Sequence, residues 1–255
     1  MPDNQPRRVL IVGAGGVGNN LARGLGMMFN TNKPNSAIIL VDGDNFENKT
    51  VDRQMFSGLG NKAEVLAKDL QPMFSNTFII PDRRWVISDD SNIKDEESSV
   101  KAGDLLLEDD IVYVTVDNHA ARKAIFDSAR NFDNIDVFTG GNDDRLYGSV
   151  YHYRRREGQD VTDHPSFWHE ELVNPPDKNP AELSCQERAQ LEGGTQTVAA
   201  NMGVATFLLG MTQTSIFEDG ELHASEQLFD LEQGLALASD RRVEEEQEIN
   251  VVSSK

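Results

Sequence analysis

One cysteine, Cys185, stands in 255 residues. A lone thiol excludes an internal disulfide and the paired Cys-x-x-Cys sets that hold structural zinc. Cations are scarce as well: 24 Lys and Arg face 43 Asp and Glu, for a formal net charge of -19. A nucleic-acid groove needs clustered Lys and Arg to displace counterions, and an anionic membrane surface attracts such clusters, so neither partner is expected. Apolar runs are short, and none approaches the roughly 20 residues that span a bilayer. The opening segment, Met1-Pro2-Asp3-Asn4-Gln5-Pro6-Arg7-Arg8, lacks the apolar core of a signal peptide, which sets the expectation of a cytoplasmic protein.

What remains is ordinary for a globular α/β chain: 38% hydrophobic and 26% charged residues, at a length that suits one large domain. Val9-Leu10-Ile11-Val12 is a wholly apolar run that ends at glycines, the pattern of a buried parallel strand. Apolar spacing through Leu21, Leu25 and Met28 predicts a helix over Asn19 to Phe29, and Ala37 to Val41 predicts a second strand ending at Asp42. Further strands are expected at Thr77 to Ile80, Ile111 to Val116, Asp136 to Thr139 and Leu146 to Tyr153. Helices are expected at Lys62 to Met73, Ala120 to Phe132 and Thr195 to Leu209. Ser88 to Ser99 reads as an acidic surface excursion, residues 157–193 as a long crossover loop with short helices, and 226–238 as a hairpin around Glu232-Gln233-Gly234. The fold class expected is α/β: a Rossmann-like, doubly wound mixed sheet with helices on both faces, the crossover loop and a C-terminal hairpin. Residues 1–240 would form one domain, and the charged residues 241–255 a flexible tail.

Gly13-Ala14-Gly15-Gly16-Val17-Gly18 follows the first strand and opens the first helix. Glycines there let backbone N–H groups approach a phosphate, and the helix N-terminus favours its charge. Asp42, at the end of the second strand, suits ribose hydroxyls. These features fit a dinucleotide as well as ATP. The stretch from Asp42 to Gln54, which carries Asp44, Thr50 and Arg53, followed by Gly60 and Lys62, is more specific. Asp117, at the end of the fourth strand, is placed to hold Mg²⁺ against phosphates or to cap the helix that follows. His164, His169, Phe167 and Trp168 in the crossover loop read as surface or interface residues.

The glycine loop, the Asp42-x-Asp44 pair, Arg53-Gln54, the glycine and lysine opening the next helix, and Asp117 followed by Arg122 resemble the ThiF/MoeB/ubiquitin-activating superfamily. Gly140-Gly141, Tyr147 to Val150 and the Gln196 to Asn201 helix extend the likeness over roughly residues 7–210. The resemblance implies an adenylyltransferase that uses ATP and Mg²⁺. It implies ATP contacts from Gly13, Gly15, Gly16, Gly18, Asp42, Asp44, Thr50, Arg53, Gln54, Lys62 and Asp117, with Asp117 also the metal ligand. The partner it implies is a small ubiquitin-like or sulfur-carrier protein, adenylated on its C-terminal glycine carboxylate, and the enzyme it implies is a homodimer. Arg53, Lys62 and Asp117 would carry the adenylation, and Cys185, beside Arg188, would accept the acyl group. The sequence departs from the family at Thr50, where an asparagine is usual, and in the shorter Gly60–Lys62 spacing. With the first strand opening at Val9, the family's N-terminal arginine helix is not expected either, and the zinc site is not expected. An NAD-dependent oxidoreductase and a ThiF-fold binding protein without catalysis are the alternatives.

Overall fold

A computed structural model describes residues 5–46, 54–142, 146–183, 187, 197–218, 220 and 224–240. In chain order the elements are β1 (Arg8–Val12), α1 (Gly16–Asn32), β2 (Ser36–Val41), β3 (Asn45–Phe46), β4 (Gly60–Asn61), α2 (Lys62–Leu70), β5 (Thr77–Asp82), β6 (Trp85–Ile87) and β7 (Ser99–Lys101). There follow α3 (Ala102–Leu105), β8 (Ile111–Val114), α4 (His119–Ala129), β9 (Ile135–Gly141), β10 (Tyr147–Arg156), β11 (Gln159–Asp160), α5 (Val198–Thr212), β12 (Glu226–Asp230) and β13 (Leu235–Ser239).

The main sheet runs β13-β12-β10-β9-β8-β1-β2-β5, with β11 paired to β10. β5, β2, β1, β8 and β9 are parallel, and β10, β12 and β13 are added antiparallel. This is the expected mixed α/β sheet with helices on both faces. Val9 and Ile11 of β1 point into a core shared with α1, α2 and α5, while Leu10 and Val12 point into a second core with α3 and α4. A strand buried on both faces has no polar side to show, which is why β1 reads as an unbroken apolar run.

Differences from the sequence reading have local causes. α1 starts at Gly16, three residues before the apolar periodicity begins, because its first turn carries two glycines, Gly16 packed on the Asn201 side chain and Gly18 on the Gly13 carbonyl, which leave no apolar period to read. β8 stops at Val114; Thr115 then turns its hydroxyl onto the Gly13 carbonyl, 2.7 Å away. β10 runs three residues past Tyr153 through Arg154, Arg155 and Arg156. Those cations are held in the sheet by long-range partners: Arg154 Nε reaches Asp136 at 2.7 Å and Arg154 Nη2 the Ser215 carbonyl at 2.9 Å. The Ser88 to Ser99 excursion is flanked by a short parallel ladder, β6 with β7. The crossover region carries β11 and 3₁₀ turns at Pro165–Phe167, Glu170–Leu172 and Pro180–Glu182. The expected hairpin is β12–β13, turning at Gly234 with φ +66°.

His164 corrects the reading of a surface histidine: it is 1% exposed. Its ring packs edge-on to Phe126 and Tyr153, with Nδ1 on the Ser166 hydroxyl at 2.7 Å. Phe167 and Trp168 are exposed as expected. His152 is also fully buried, stacked on Phe138 with Nε2 2.8 Å from Asp136. Burial lowers the pKa of both histidines, against the pull of Asp136 on His152, while the Arg130 charge adds to the lowering at His164. Each therefore takes up its proton at a lower pH in the fold than in the unfolded chain, so stability falls as pH drops through about 6.5. Asp110 works in the opposite sense: burial, against Arg8, holds its carboxyl up at about 6, so the native state takes that proton before the unfolded chain does. Calorimetry is expected to show Tm falling steadily from pH 7.5 to 5, the single Asp110 proton offsetting only part of the two histidine protons; a Tm that rises on acidification from pH 7.5 would contradict this account.

Candidate nucleotide site

The strand order reverses between β1 and β8, with β2 and β5 lying beyond one and β9 beyond the other. In open α/β sheets the crevice outside the carboxyl ends of the strands at such a reversal takes the ligand. The residues that leave β1 and β8 meet there. Gly13 has φ +98°, and a Cβ on it would lie 2.8 Å from the Val116 nitrogen, so this position requires glycine. Gly15 is the N-cap of α1, with no side-chain cap and no acidic residue in the first turn. The first-turn N–H groups and the positive end of the helix are thus left for an anion.

Asp42 is fixed behind this loop. Its Oδ2 accepts from the Ala14 nitrogen at 2.7 Å and its Oδ1 from the Asp44 nitrogen at 2.8 Å. Burial pushes the Asp42 carboxyl up; Lys62 and the two N–H donors pull the other way without cancelling it. Lys62 opens α2, and Asn61 sets its position. Asn61 Oδ1 accepts from the Glu64 nitrogen at 3.1 Å, and Asn61 Nδ2 donates to the carbonyls of Asp42 at 2.8 Å and Asp44 at 3.1 Å. Lys62 Nζ lies 2.5 Å from Asp44 Oδ2. Burial pulls the Lys62 ammonium down, but the charges of Asp42, Asp44 and Asp117 carry it above the usual lysine value. One cation is therefore shared among three carboxylates.

Asp117 lies just past β8 and is exposed. Capping is not its role. Asn118 is the N-cap of α4, accepting from the Ala121 nitrogen at 2.8 Å, and Asp177 of the crossover loop accepts from His119 and Ala120 at 2.9 and 3.0 Å. This corrects the capping alternative and leaves the exposed Asp117 carboxylate as a charge that acts on Lys62. Arg122 is a strut: Nε donates to the Val116 carbonyl at 3.0 Å and Nη2 to Gly140 at 3.1 Å, joining the ends of β8 and β9. The crossover loop is pinned to the same edge, with Asn118 on the Lys178 carbonyl at 2.7 Å and Asn179 on that of Val86 at 2.7 Å.

The structure brings together Gly13, Gly15, Gly16, Gly18, Asp42, Asp44, Gln54, Lys62 and Asp117; Gln54 Nε2 lies 3.7 Å from where a Gly15 Cβ would sit. Thr50, Arg53 and Cys185 lie outside the described residues. Sequence reasoning missed Asn61, Asp177 and Trp85, whose ring packs against Gly43. Asn61 had a signal, the Asn61-x-x-Glu64 capping pattern; Asp177 and Trp85 had none. Among the described residues no group of three or more His, Cys, Asp or Glu is placed to hold a metal ion. A magnesium ion that travels with a triphosphate needs only one or two protein carboxylates, and Asp117 fits that need. No helix among the described residues is long and apolar enough to cross a membrane.

The ThiF family model matches residues 4–229, and the chain belongs to the ThiF family. Among solved structures it is similar to E. coli MccB with AMPCPP and MccA, at TM-score 0.61 and 18% identity, covering 92% of this chain and 64% of that one. It is similar to PaaA at TM-score 0.63 and 16% identity, covering 92% and 72%, and to E. coli MccB alone at TM-score 0.60 and 17% identity, covering 93% and 63%. The chain thus spans just under two thirds of MccB, and at these identities the likeness is one of fold. A comparison with curated protein sequences gives no match.

Proposed function

We propose that residues 1–240 form an adenylation unit that uses ATP and Mg²⁺ to activate the C-terminal glycine carboxylate of a small ubiquitin-like or sulfur-carrier protein, acting as a homodimer in the cytoplasm. The observation that carries the reading is the cation at the glycine loop: Lys62 paired with Asp44, with the charges of Asp42 and Asp117 acting on it, beside an uncapped helix N-terminus. Support also comes from the ThiF family match and from a fold neighbour crystallised with AMPCPP, an ATP analogue, and MccA. An oxidoreductase would have no use for an Arg53-Gln54 pair beside the ribose aspartate, so hydride transfer is set aside.

In this reaction two anions must meet. An oxygen of the acceptor carboxylate attacks the α-phosphorus of ATP, the bond to the β-phosphate bridging oxygen breaks, and pyrophosphate leaves with the electron pair. The N–H groups of the Gly13–Gly18 loop hold phosphate, Asp42 accepts from ribose hydroxyls, and Lys62 with Arg53 neutralises the charge that builds at the α-phosphate. Asp117 would hold magnesium, which when bound supplies further charge neutralisation on the phosphates. Where a thiol follows, the Cys185 thiolate attacks the acyl carbonyl and AMP leaves.

ATP–pyrophosphate exchange that depends on a glycine-ending partner tests the reading. Asp117→Ala and Arg53→Ala are each expected to lower exchange by about 100-fold or more, the usual effect of removing one stabilising charge. Exchange that survives both substitutions would show that the site is wrongly assigned.

A further inference from the structure

Asn201 lies in the first turns of α5, four residues after the N-cap Thr197. Its side chain is fully buried, yet neither its amide nitrogen nor its amide oxygen has a hydrogen-bond partner. Native interiors rarely keep such a group without a reason, because each unpaired atom loses its water and gains nothing in return. Its neighbours on the buried face of α5, Ala200, Val204, Ala205 and Leu208, are apolar, so packing alone gives no reason for an amide at this position.

The amide is pressed onto the glycine loop. A Cβ on Gly16 would lie 2.1 Å from Asn201 Nδ2 and 3.3 Å from its Oδ1, so Gly16 is glycine partly to admit this side chain. Gly16 is the first residue of α1, whose N-terminus no side chain caps. Gln54 reaches the same place from the other side: its Nε2 lies 3.7 Å from the Cβ position of Gly15, and its Oε1 is also buried and unpaired. Two amides with three unpaired atoms thus flank two consecutive glycines, where an anion would meet the helix. The far end of α5 is fixed to the sheet by Thr212 on the Tyr113 hydroxyl at 2.7 Å, and its continuation by Ser215 on Arg154 at 2.9 Å, so the amide is held on a rigid element.

We propose that Asn201 is a phosphate ligand, its Nδ2 donating to an oxygen of a nucleoside polyphosphate seated at the α1 N-terminus while Gln54 pairs with the opened Oδ1. This rests on the nucleotide reading of the crevice but not on adenylation. The site would then close over phosphate from three sides: α1, the segment carrying Gln54, and α5.

The experiment is calorimetric titration of the full chain with adenosine, AMP and ATP plus magnesium, on wild type, Asn201→Leu and Asn201→Ala. Loss of a hydrogen bond to a charged group is expected to weaken ATP about 10-fold or more, AMP less, and adenosine not at all. Equal losses for all three ligands, or none for ATP, overturn the proposal and make Asn201 a packing residue. Asn201→Ala gives the same ligand ratio should the leucine variant fail to fold. Wild type that binds ATP but catalyses no exchange sinks the adenylation reading alone; wild type that binds no adenine ligand overturns both.

Discussion

Lys62→Met should abolish most pyrophosphate exchange, lowering it by roughly 100- to 1000-fold, and should weaken ATP as well. The side chain is only 12% exposed and balances three carboxylates at once. Without it Asp42, Asp44 and Asp117 present an uncompensated negative field to a triphosphate and a carboxylate that are themselves anions. The loss therefore falls on nucleotide binding and on the transition state together, so KM for ATP rises while kcat drops. Removing the cation also withdraws the main charge that holds the buried Asp42 carboxyl down, so that group shifts further upward. Lys62→Arg should recover part of the affinity and less of the rate, because a planar guanidinium does not reproduce a point charge 2.5 Å from Asp44. Exchange within about threefold of wild type in Lys62→Met would remove the shared cation from the proposed chemistry.

Gly18→Ala is expected to cost about 3 kcal/mol of stability. A Cβ there would lie 1.8 Å from the Gly13 carbonyl oxygen and 2.8 Å from the Thr115 hydroxyl. Those two atoms already bond each other at 2.7 Å, and neither is the free end of a flexible chain. The loop must move, and with it the Ala14 nitrogen that fixes Asp42. For a chain of this length such a loss corresponds to a Tm drop of roughly 6–12 °C, with nucleotide binding lost alongside. Gly210→Ala is the control. It lies in the last turn of α5, which continues as a π turn over Gln213–Phe217, with nothing outside the helix within 4 Å of a new Cβ, so it should stabilise by about 0.5–1 kcal/mol. Equal effects at Gly18 and Gly210 in thermal melts would refute the steric account of the loop.

Elements whose own residues carry the pattern were legible in advance. β1 and β2 announce themselves because burial on both faces leaves no polar position, and the β12–β13 hairpin because Gly234 marks its turn. β6, β7 and α3, at three, three and four residues, are too short to show any period. The arginines ending β10 look like loop until Asp136 and the Ser215 carbonyl, 18 and 61 residues away, are brought to Arg154. The same divide runs through the site. Asp42, Lys62 and Asp117 sit at element ends, where spacing and family likeness find them. Asp177 meets His119 and Ala120, and Asn201 packs on Gly16, across long stretches of chain, and no local spacing marks either contact.

The hairpin that extends the sheet also ends it. Among the described residues β13 has a neighbour on one side only, and Leu235, Ala236, Leu237 and Ala238 along it are all exposed. An open strand with apolar side chains is a template on which another chain can add itself. Here that edge belongs to a molecule with a net charge of -19. Two copies approaching edge to edge repel each other over a distance set by ionic strength, about 10 Å at 0.1 M salt and 3 Å at 1 M. That acidity thus gives this protein colloidal protection of its own sheet edge, strongest in dilute buffer and weakest in brine.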